Sequence, residues 1–422
     1  MTIKTLLQGS AAIAIAGTLL TSASAIAEPQ VELMHMWTSG SSAEALADVA
    51  DKFRAQGGTW TDNSIAGHTA SQYAALRARV MAGDAPTAVQ LKGPNIHEWA
   101  EAVGLADLSE VAGPGNWEEV MAPALIDVMS YDGNFVGVPV NIHRVNWMYT
   151  SPKALEAIGE SEPPTTWEDF NAMAEKMAAA GITPVAHGGQ DWQDITIFEA
   201  VAVGQGLDFY KEAFLDLNDD ALRGPKMIAT FDQLRKLVNW MDEGMPGRAW
   251  SEAAVMVAKG EAGFQFMGDW FVGNMSQVGY EHGTDYLCST QPTTDGSLAF
   301  TINSDSFAFF EQDDPDRQAG QKLFAELIMD PETQISFNQV KGSIPARMDI
   351  DLGDFSYCQQ LALDHLEQTI ESGGLVPTLA HSMAQPQRIR SSVMEIVSNF
   401  MNSDMSSEDA ATQVADAVQA NI

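Results

Sequence analysis

The sequence predicts an α/β protein of two domains that are connected by more than one chain crossing. Segments with strand-like and helix-like patterns alternate almost throughout, as in parallel α/β architectures. The 422 residues exceed the roughly 100–200 residues of one ordinary domain. No run of Pro, Ser or Gly marks a single linker, which favours interleaved segments over two domains joined end to end.

The first residues predict a cleaved signal peptide over residues 1–27. Lys4 provides a positive start, an apolar stretch runs from Leu6 to Leu20, and Ala25 and Ala27 form an A-x-A cleavage site. The apolar stretch is short for a membrane span, and no later segment of the sequence reaches that length. We therefore expect a mature protein in the periplasm that starts near Glu28.

The first third of the mature chain predicts alternating strands and helices. The stretch VELMHMWTSGSSAEAL (31–46) predicts a strand that runs into a helix, with Ser41 and Glu44 at capping-box spacing. Its helix continues through ALADVADKFRAQGG and ends at Gly57. A second helix is predicted in SQYAALRARVMAGDAP (71–86), and a short strand and turn follow in TAVQLKGPN (87–95).

The remaining chain continues the same alternation. Thr166 and Asp169 predict a capped helix in PPTTWEDFNAMAEKMAAAG (163–181). Strands are predicted in ITPVAHGG (182–189) and FQFMGDW (264–270). Helices are predicted in ATFDQLRKLVNWMDEG, in SEAAVMVAKGEAG, in a pair broken at Pro331, and at the C-terminus.

Composition and charge exclude several classes of partner. A hydrophobic content of 45% and a charged content of 19% indicate a globular protein with a substantial core. The formal net charge of -35 repels phosphate backbones and anionic lipid, so nucleic acid is not expected as a partner. This charge places no constraint on a neutral ligand.

Two cysteines remain, Cys288 and Cys358, and an oxidising compartment allows them to form one disulfide. That pairing is a hypothesis at this point. Neither cysteine has the spacing of a metal site, and the eight histidines are scattered. We expect no metal and no cofactor.

Several strand ends carry aromatic or polar residues that are unusual for apolar strands. In open α/β sheets, ligands bind beyond the carboxyl ends of strands, so loops from two such sheets can face one cleft. The residues concerned are Trp37, Lys92, Asp269, Trp270, Asn303, Asp305 and Lys341, together with His143, Arg144 and His381.

This residue set suits the binding of a sugar. An indole can cover the apolar C–H face of a pyranose, and Lys, Asp and Asn can hydrogen-bond its hydroxyls. The sequence has no G-x-S-x-G, H-E-x-x-H, P-loop or G-x-G-x-x-G motif. A secreted glycoside hydrolase remains the alternative, with Asp269 and Asp305 as its acid and nucleophile. A third reading keeps a binding protein but changes its cargo to an amino acid, a polyamine or a metal chelate.

The chain resembles the solute-binding component of bacterial ABC sugar importers, and within that class the glucose/mannose-binding proteins. The resemblance covers essentially the whole mature chain, and its most specific pieces are GVPVNIHRVNWMY, FMGDW, NSDSFAFF, FNQVKGSIPAR and AHSMAQP. It implies a binding protein without catalytic turnover that captures sugar by lobe closure. The implied partners are a small sugar and the permease subunits of an ABC transporter, and we expect a monomer.

The resemblance also implies a two-lobed periplasmic binding protein fold of type II with about three hinge crossings. We place the crossings near 141–145, 300–303 and 344–348. Lobe 1 then comprises residues 28–142 and 303–345, and lobe 2 comprises residues 146–300 and 346–422. His143 and Arg144 are expected to hold the hinge rather than to contact the ligand.

Sugar contacts carry over from the family at matching positions. Trp37 and Trp270 are expected to cover the sugar ring, and the other contacts are Lys92, Asn303, Asp305, Lys341 and His381. Two positions depart from the family pattern, because Met36 replaces the first of two adjacent tryptophans and Ser42 replaces a glutamate. The preferred sugar therefore stays open between a hexose, a pentose and a small oligosaccharide. His68 is expected to supply part of the missing polar rim.

Overall fold

The structure is a computed structural model, and it describes residues 27–422. The signal peptide predicted over residues 1–27 lies, except for Ala27, outside the described residues and stays a prediction. Within residues 27–422, no helix combines the length and the apolar character that a membrane crossing requires. Strands and helices alternate along the described chain, which confirms the predicted α/β class.

Fourteen strands occur in the described residues. They are β1 (Gln30–His35), β2 (Thr59–Ser64), β3 (Ala88–Leu91), β4 (Ser130–Tyr131), β5 (Asn134–Phe135), β6 (Gly137–Pro139), β7 (His143–Arg144), β8 (Trp147–Thr150), β9 (Thr183–Val185), β10 (Ala262–Met267), β11 (Leu287–Thr290), β12 (Phe300–Asn303), β13 (Ser306–Ala308) and β14 (Leu375–Pro377).

Nineteen helices occur in the same part of the chain. They are α1 (Gly40–Ala55), α2 (His68–Met81), α3 (Pro94–Val103), α4 (Ser109–Ala112), α5 (Trp117–Val120), α6 (Pro123–Met129), α7 (Pro152–Ala157), α8 (Trp167–Ala179), α9 (Asp191–Gly204), α10 (Leu207–Phe214), α11 (Asp219–Arg223), α12 (Pro225–Asn239), α13 (Trp250–Lys259), α14 (Trp270–Gln277), α15 (Pro315–Met329), α16 (Pro331–Lys341), α17 (Tyr357–Ser372), α18 (Gln387–Met401) and α19 (Ser407–Gln419).

The first sheet has the strand order β2-β1-β3-β13-β6. Strand β1 runs parallel to β2 and β3, and β13 runs antiparallel to β3 and β6. The parallel arrangement brings the carboxyl ends of β1 and β3 to one edge of the sheet. Residues that follow these two strands therefore lie close together.

The capping box predicted at Ser41 and Glu44 is wrong. Helix α1 begins at Gly40, whose positive φ of 67° makes the turn out of the strand, and Ser39 stands at the N-cap without a side-chain bond. Ser41 is therefore buried inside the helix. The cap predicted at Thr166 is confirmed, because its hydroxyl accepts a hydrogen bond from the Asp169 amide at 3.1 Å.

The second sheet has the order β11-β8-β10-β9. Strand β8 is antiparallel to both neighbours, and β9 is parallel to β10. Helix α9 is buried along nearly its whole length, because it lies between this sheet and helices α10, α12 and α18. The buried hydrophobic residues of the first sheet belong to one cluster, whereas those of the second sheet divide mainly between that cluster and a second one.

A small third sheet, of order β14-β12-β7, joins these two parts of the molecule. Strand β12 pairs antiparallel with β7, and the chain then enters β13 of the first sheet. The Ile142 and Ile344 backbones exchange hydrogen bonds of 2.7 and 3.0 Å, so the three segments predicted as crossings lie side by side. The exact lobe boundaries stay a prediction, and residues 346–348 still pair with residues 120–122.

The disulfide hypothesis is confirmed, because Cys288 and Cys358 are bonded. Cys288 lies on β11, at the edge of the second sheet, and Cys358 lies in the first turn of α17. The neighbouring Gln359 donates hydrogen bonds to the carbonyls of Asn338 and Ser343 at 2.8 and 2.7 Å. Helix α17 is thus anchored both to the second sheet and to the end of α16.

Candidate functional site

A cavity of about 280 Å³ lies where the two parts of the molecule face each other, and we call it the central cavity. Nine of the ten predicted ligand-binding residues line it. They are Met36, Trp37, Ser42, Lys92, Trp270, Asn303, Asp305, Lys341 and His381. The side chain of the tenth, His68, lies outside the part of the chain that the structure describes.

Strand ends explain how residues distant in sequence reach the same cavity. Met36 and Trp37 follow β1, Lys92 follows β3, and Asn303 ends β12. Trp270 follows β10 of the second sheet. These positions agree with the rule that ligand sites of α/β sheets lie beyond the carboxyl ends of strands.

Asp305 is the centre of a buried charged network. Its Oδ1 lies 2.8 Å from Lys92 Nζ, and its Oδ2 lies 3.0 Å from His143 Nε2 and 3.9 Å from Lys341 Nζ. Burial alone would raise the pKa of Asp305, but attraction to Lys92, the His143 hydrogen bond and Lys341 hold this pKa well below its usual range. The carboxylate stays ionised and fixes both lysines in the cavity wall.

Two amides complete the shell around Asp305. Gln90 Nε2 donates to Oδ1 at 3.1 Å, and Asn141 Nδ2 donates to Oδ2 at 3.1 Å. The Asp305 amide in turn donates to Asn141 Oδ1 at 2.8 Å. Because each carboxylate oxygen already has several partners, the network is rigid, and it offers a ligand the lysine ammonium groups rather than the carboxylate.

His143 connects this network to Asp269, which follows β10 of the second sheet. Its Nδ1 hydrogen-bonds Asp269 Oδ1, and the Arg144 amide donates to Asp269 Oδ2 at 2.9 Å. His143 lines the central cavity but also joins β7 to the second sheet, which agrees with its predicted place at the hinge.

Lys341 forms a second group with Ser42 and Trp37. Its Nζ donates to Ser42 Oγ at 2.7 Å and lies 5.2 Å from the centre of the Trp37 ring. Burial lowers the pKa of Lys341, and Asp305 opposes that effect. The Ser42 hydroxyl, which departs from the family pattern, thus already has a protein partner.

The aromatic lining comes from both sides of the cavity. Trp37 packs against Phe307 and Phe337 of the first side, with ring centres 6.0 and 5.7 Å apart. Trp270 meets the rings of His143 and His381 edge-on, at 5.4 and 5.0 Å. Both indoles are therefore held in fixed orientations, as a ring platform for a ligand requires.

Three cavity-lining residues carry buried polar atoms that have no hydrogen-bond partner within residues 27–422. They are Trp270 Nε1, Asn303 Oδ1 and His381 Nε2. Burial, together with repulsion from Lys92 and Arg390, holds the pKa of His381 well below its usual range. The set comprises one donor, one acceptor and one neutral imidazole nitrogen. Unpaired buried polar atoms cost about 1–3 kcal/mol each, and a ligand with hydroxyl groups would pair them.

Sequence reasoning missed several residues of the cavity wall, including Asp191, Trp192, Trp250, Asn274 and Arg390. Trp192 lies beside Trp270, with ring centres 6.1 Å apart. The strand-end rule could have found Asp191 and Trp192, because they open the helix that follows β9. Arg390 lies within helix α18, where nothing in the local sequence distinguishes it. Burial lowers its pKa to about 10, and Asp191 opposes that shift.

Comparisons with known proteins agree with this architecture. A probable sugar-binding periplasmic protein of Rhizobium meliloti (strain 1021) is 41% identical over 408 residues, which cover 96% of this chain and 98% of that protein. A chitin oligosaccharide binding protein superposes with a TM-score of 0.80 at 17% identity, over 93% of this chain and 98% of that one. A bacterial solute receptor with an exclusive preference for β-D-galactopyranose superposes with a TM-score of 0.77 at 17% identity, over 93% and 99%.

The structural similarity confirms the predicted two-lobed binding protein fold, and at such identities it shows the fold alone. The sequence model of one family, described as bacterial extracellular solute-binding protein, matches residues 48–357. That match covers most of the chain. The chain therefore belongs to the bacterial extracellular solute-binding protein family.

Proposed function

We propose that this protein is a periplasmic receptor that binds a small neutral sugar in the central cavity and delivers it to an ABC importer. The observation that carries the proposal is the cavity itself. It combines the Lys92–Asp305 pair of the first side with Trp270 of the second side. The relative from Rhizobium meliloti, named a probable sugar-binding periplasmic protein, supports both the ligand class and the compartment.

The chemistry of the cavity wall suits a sugar ring. Trp37 and Trp270 offer indole surfaces for the C–H face of a pyranose. The lysine ammonium groups and the unpartnered atoms of Asn303 and His381 suit its hydroxyls. Polar groups that would stay unpaired with the wrong epimer give such a site its selectivity.

Charge favours a neutral ligand over the other cargoes considered. Lys92, Lys341 and Arg390 line the cavity and are offset by Asp305 and Asp191, with Asp269 behind His143. A polyamine would meet three cations. An amino acid would need an anion for its ammonium group, but Asp305 is already surrounded by partners and Asp191 is attracted to Arg390.

Within the sugars, we propose a monosaccharide of the glucose or mannose type. At about 280 Å³, the cavity lies just below the range of about 300–1,000 Å³ that is typical of small-molecule sites. Met36 and Ser42 still distinguish this site from the family pattern, and Ser42 is engaged by Lys341. A related sugar that lacks the group recognised by the family's glutamate is therefore the second candidate.

The protein is a binding protein rather than an enzyme, as membership of a solute-binding family shows. The arrangement of the two carboxylates supports this conclusion. Asp269 and Asp305 both hydrogen-bond the His143 ring, so neither is free to act as a proton donor or a nucleophile. The lowered pKa of Asp305 is also opposite to what a general acid requires.

Lobe closure is the step that couples sugar binding to transport in this proposal. A ligand that contacts both lobes favours the closed form, because the full set of contacts exists only there. The closed receptor then docks on the permease subunits. We expect a monomer throughout.

The test is a thermal-shift screen of the mature protein against monosaccharides, disaccharides, amino acids and polyamines, followed by calorimetric titration. We expect a hexose to raise the melting temperature and to bind with a Kd of about 1 μM or tighter, about -8 kcal/mol. Small-angle scattering should show compaction with that sugar. A larger shift with a disaccharide would reject the monosaccharide, and a response to amino acids or polyamines alone would reject sugar as the ligand.

A further inference from the structure

Glu199 is a buried carboxylate that does not line the central cavity. It lies in the middle of α9, the helix whose first residues, Asp191 and Trp192, do line the cavity. Only 1% of Glu199 is exposed. A carboxylate at such a position is unfavourable unless the surrounding groups satisfy its oxygens, so its partners indicate what it is for.

The groups that hydrogen-bond Glu199 are neutral donors, and they converge on one loop. The Thr378 hydroxyl donates to Oε2 at 2.5 Å, and the Leu379 amide donates to Oε1 at 2.6 Å. The Tyr210 hydroxyl donates to Oε1 at 2.5 Å and itself accepts from the Leu379 amide at 3.0 Å. Burial raises the pKa of Glu199, and these hydrogen bonds oppose the rise.

This loop, residues 378–382, carries His381 into the cavity wall, and we call it the His381 loop. The carbonyl of Ala380, in the same loop, accepts a hydrogen bond from Arg390 Nε at 3.0 Å. At Ser382 the backbone has a φ of 61°, a left-handed conformation that is unfavourable for serine. The loop therefore depends on its surroundings for its shape. Glu199 contributes to these surroundings, because it accepts hydrogen bonds from the consecutive residues Thr378 and Leu379.

The shape of the loop decides where the His381 ring lies. That ring packs edge-on against Trp270 at 5.0 Å and against Trp192 at 6.2 Å. The backbone of Ser382 faces Gly93, the residue after Lys92, which lies on the opposite side of the cleft. A shift of the loop would thus move a ring of the cavity wall and alter the contact between the two sides.

We propose that Glu199 is the positioning residue of the ligand site, and that its carboxylate fixes the His381 loop so that His381 and Trp270 form one binding surface. This inference rests on the proposed function, because it assigns Glu199 a role in sugar affinity. Glu199 acts through His381 and does not touch the sugar.

The test compares Glu199→Gln with a matched control, Asp194→Asn. Asp194 is also a buried carboxylate of α9, but its partners are His187 and Ser398, away from the loop. Glutamine offers a donor where Glu199 offers an acceptor. We expect Glu199→Gln to weaken sugar binding at least fivefold in calorimetry below the melting temperature, and Asp194→Asn to change it less than twofold.

A double variant separates positioning from a general loss of stability. In a His381→Ala background, Glu199→Gln should weaken binding by less than twofold further, because the ring that it positions is gone. Equal losses with and without His381, or unchanged affinity in Glu199→Gln together with a lowered melting temperature, would overturn the inference. If Glu199→Gln does not fold, Thr378→Val replaces it and should weaken binding at least twofold.

A ligand-free readout keeps this inference distinct from the proposed function. In protein with labelled histidine, the ring signal of His381 should shift in Glu199→Gln and stay unchanged in Asp194→Asn. If the wild-type protein binds no sugar, the proposed function fails while this signal still decides whether Glu199 positions His381. An unchanged signal would reject the positioning role even if sugar binds.

Discussion

Lys92 and Asp305 form a buried ion pair across the wall of the central cavity, with 2.8 Å between Nζ and Oδ1. Lys92 follows β3 and Asp305 precedes β13, and these two strands are paired antiparallel. Asp305 also contacts His143, which reaches the second sheet through Asp269. One carboxylate thus links a cavity-facing ammonium group to the hinge.

Lys92→Ala should weaken sugar binding at least tenfold, about 1.4 kcal/mol, because it removes a charged hydrogen-bond donor from the cavity. It should also lower the free energy of unfolding by about 3 kcal/mol, which is the lower end of the typical cost of breaking a buried ion pair. The lower end applies because His143 and Lys341 still face Asp305. Calorimetry and urea unfolding measure the two effects. The control is Lys322→Ala, which breaks an exposed pair with Glu110 and should change neither quantity by more than about 1 kcal/mol.

Trp270→Ala should also weaken sugar binding at least tenfold, because it removes the ring platform and an indole donor. Trp270→Phe should keep part of the affinity, since it retains an aromatic face but not the donor. Trp99→Ala is the matched control, because Trp99 packs against Phe310 away from the cavity. Calorimetric titration of the three variants is the measurement, and wild-type affinity in Trp270→Ala would remove Trp270 from the site.

Gly93→Ala should impair sugar binding by hindering the approach of the two sides. A Cβ at Gly93 would lie 2.3 Å from the Ser382 carbonyl oxygen, and the backbone φ there is +51°. Gly83→Ala has the same backbone problem, with a φ of +74°, but no heavy atom near the added Cβ. We expect both variants to lose about 1 kcal/mol or more of stability, and only Gly93→Ala to lose affinity, by at least tenfold. Equal affinities in the two variants would contradict this.

Stability should fall as the pH is lowered from 7 towards 4. Burial, helped by repulsion from Arg144, lowers the pKa of His365 from 6.5 to about 4. As the pH falls, the unfolded chain therefore protonates His365 before the folded protein does. The stabilisation is therefore full above pH 6.5 and is lost progressively below it; the lowered pKa of His381 acts in the same direction. Urea unfolding at pH 7 and pH 5 measures how much free energy of unfolding each protein loses on acidification. His365→Gln should lose about 1 kcal/mol less than the wild-type protein, a value that is discounted for the exposed part of the ring. Parallel losses in both proteins would contradict the assignment to His365.

Replacing both cysteines, Cys288→Ala and Cys358→Ala together, should lower the free energy of unfolding by about 4 kcal/mol. The disulfide closes a segment with a sequence separation of 70, and its loss enlarges the unfolded ensemble. Guanidinium unfolding of the double variant measures the effect. A reductant should destabilise the wild-type protein and leave the double variant unchanged; the same response in both would show that another group is being reduced.

The amino-acid sequence by itself determined the fold class, the alternation of strands and helices, and nine of the residues that line the central cavity. Trp37, Lys92, Trp270 and Asn303 were predictable because each lies at or just beyond a strand end, and the strand-end rule depends only on local pattern and topology. The capping box at Ser41 failed because the turn at Gly40 starts the helix earlier. Cys288 and Cys358 were paired correctly because no other cysteine was available.

Only the tertiary structure decided which partners these side chains have. The contacts of Asp305 with Lys92, His143 and Lys341 depend on four distant chain segments meeting at the cavity, and no local pattern encodes that meeting. Arg390 and Glu199 lie inside helices, where their neighbours are set by how α9 and α18 pack rather than by residues nearby in sequence. Strand ends can be read from periodicity, whereas contacts between distant segments exist only once the chain has folded.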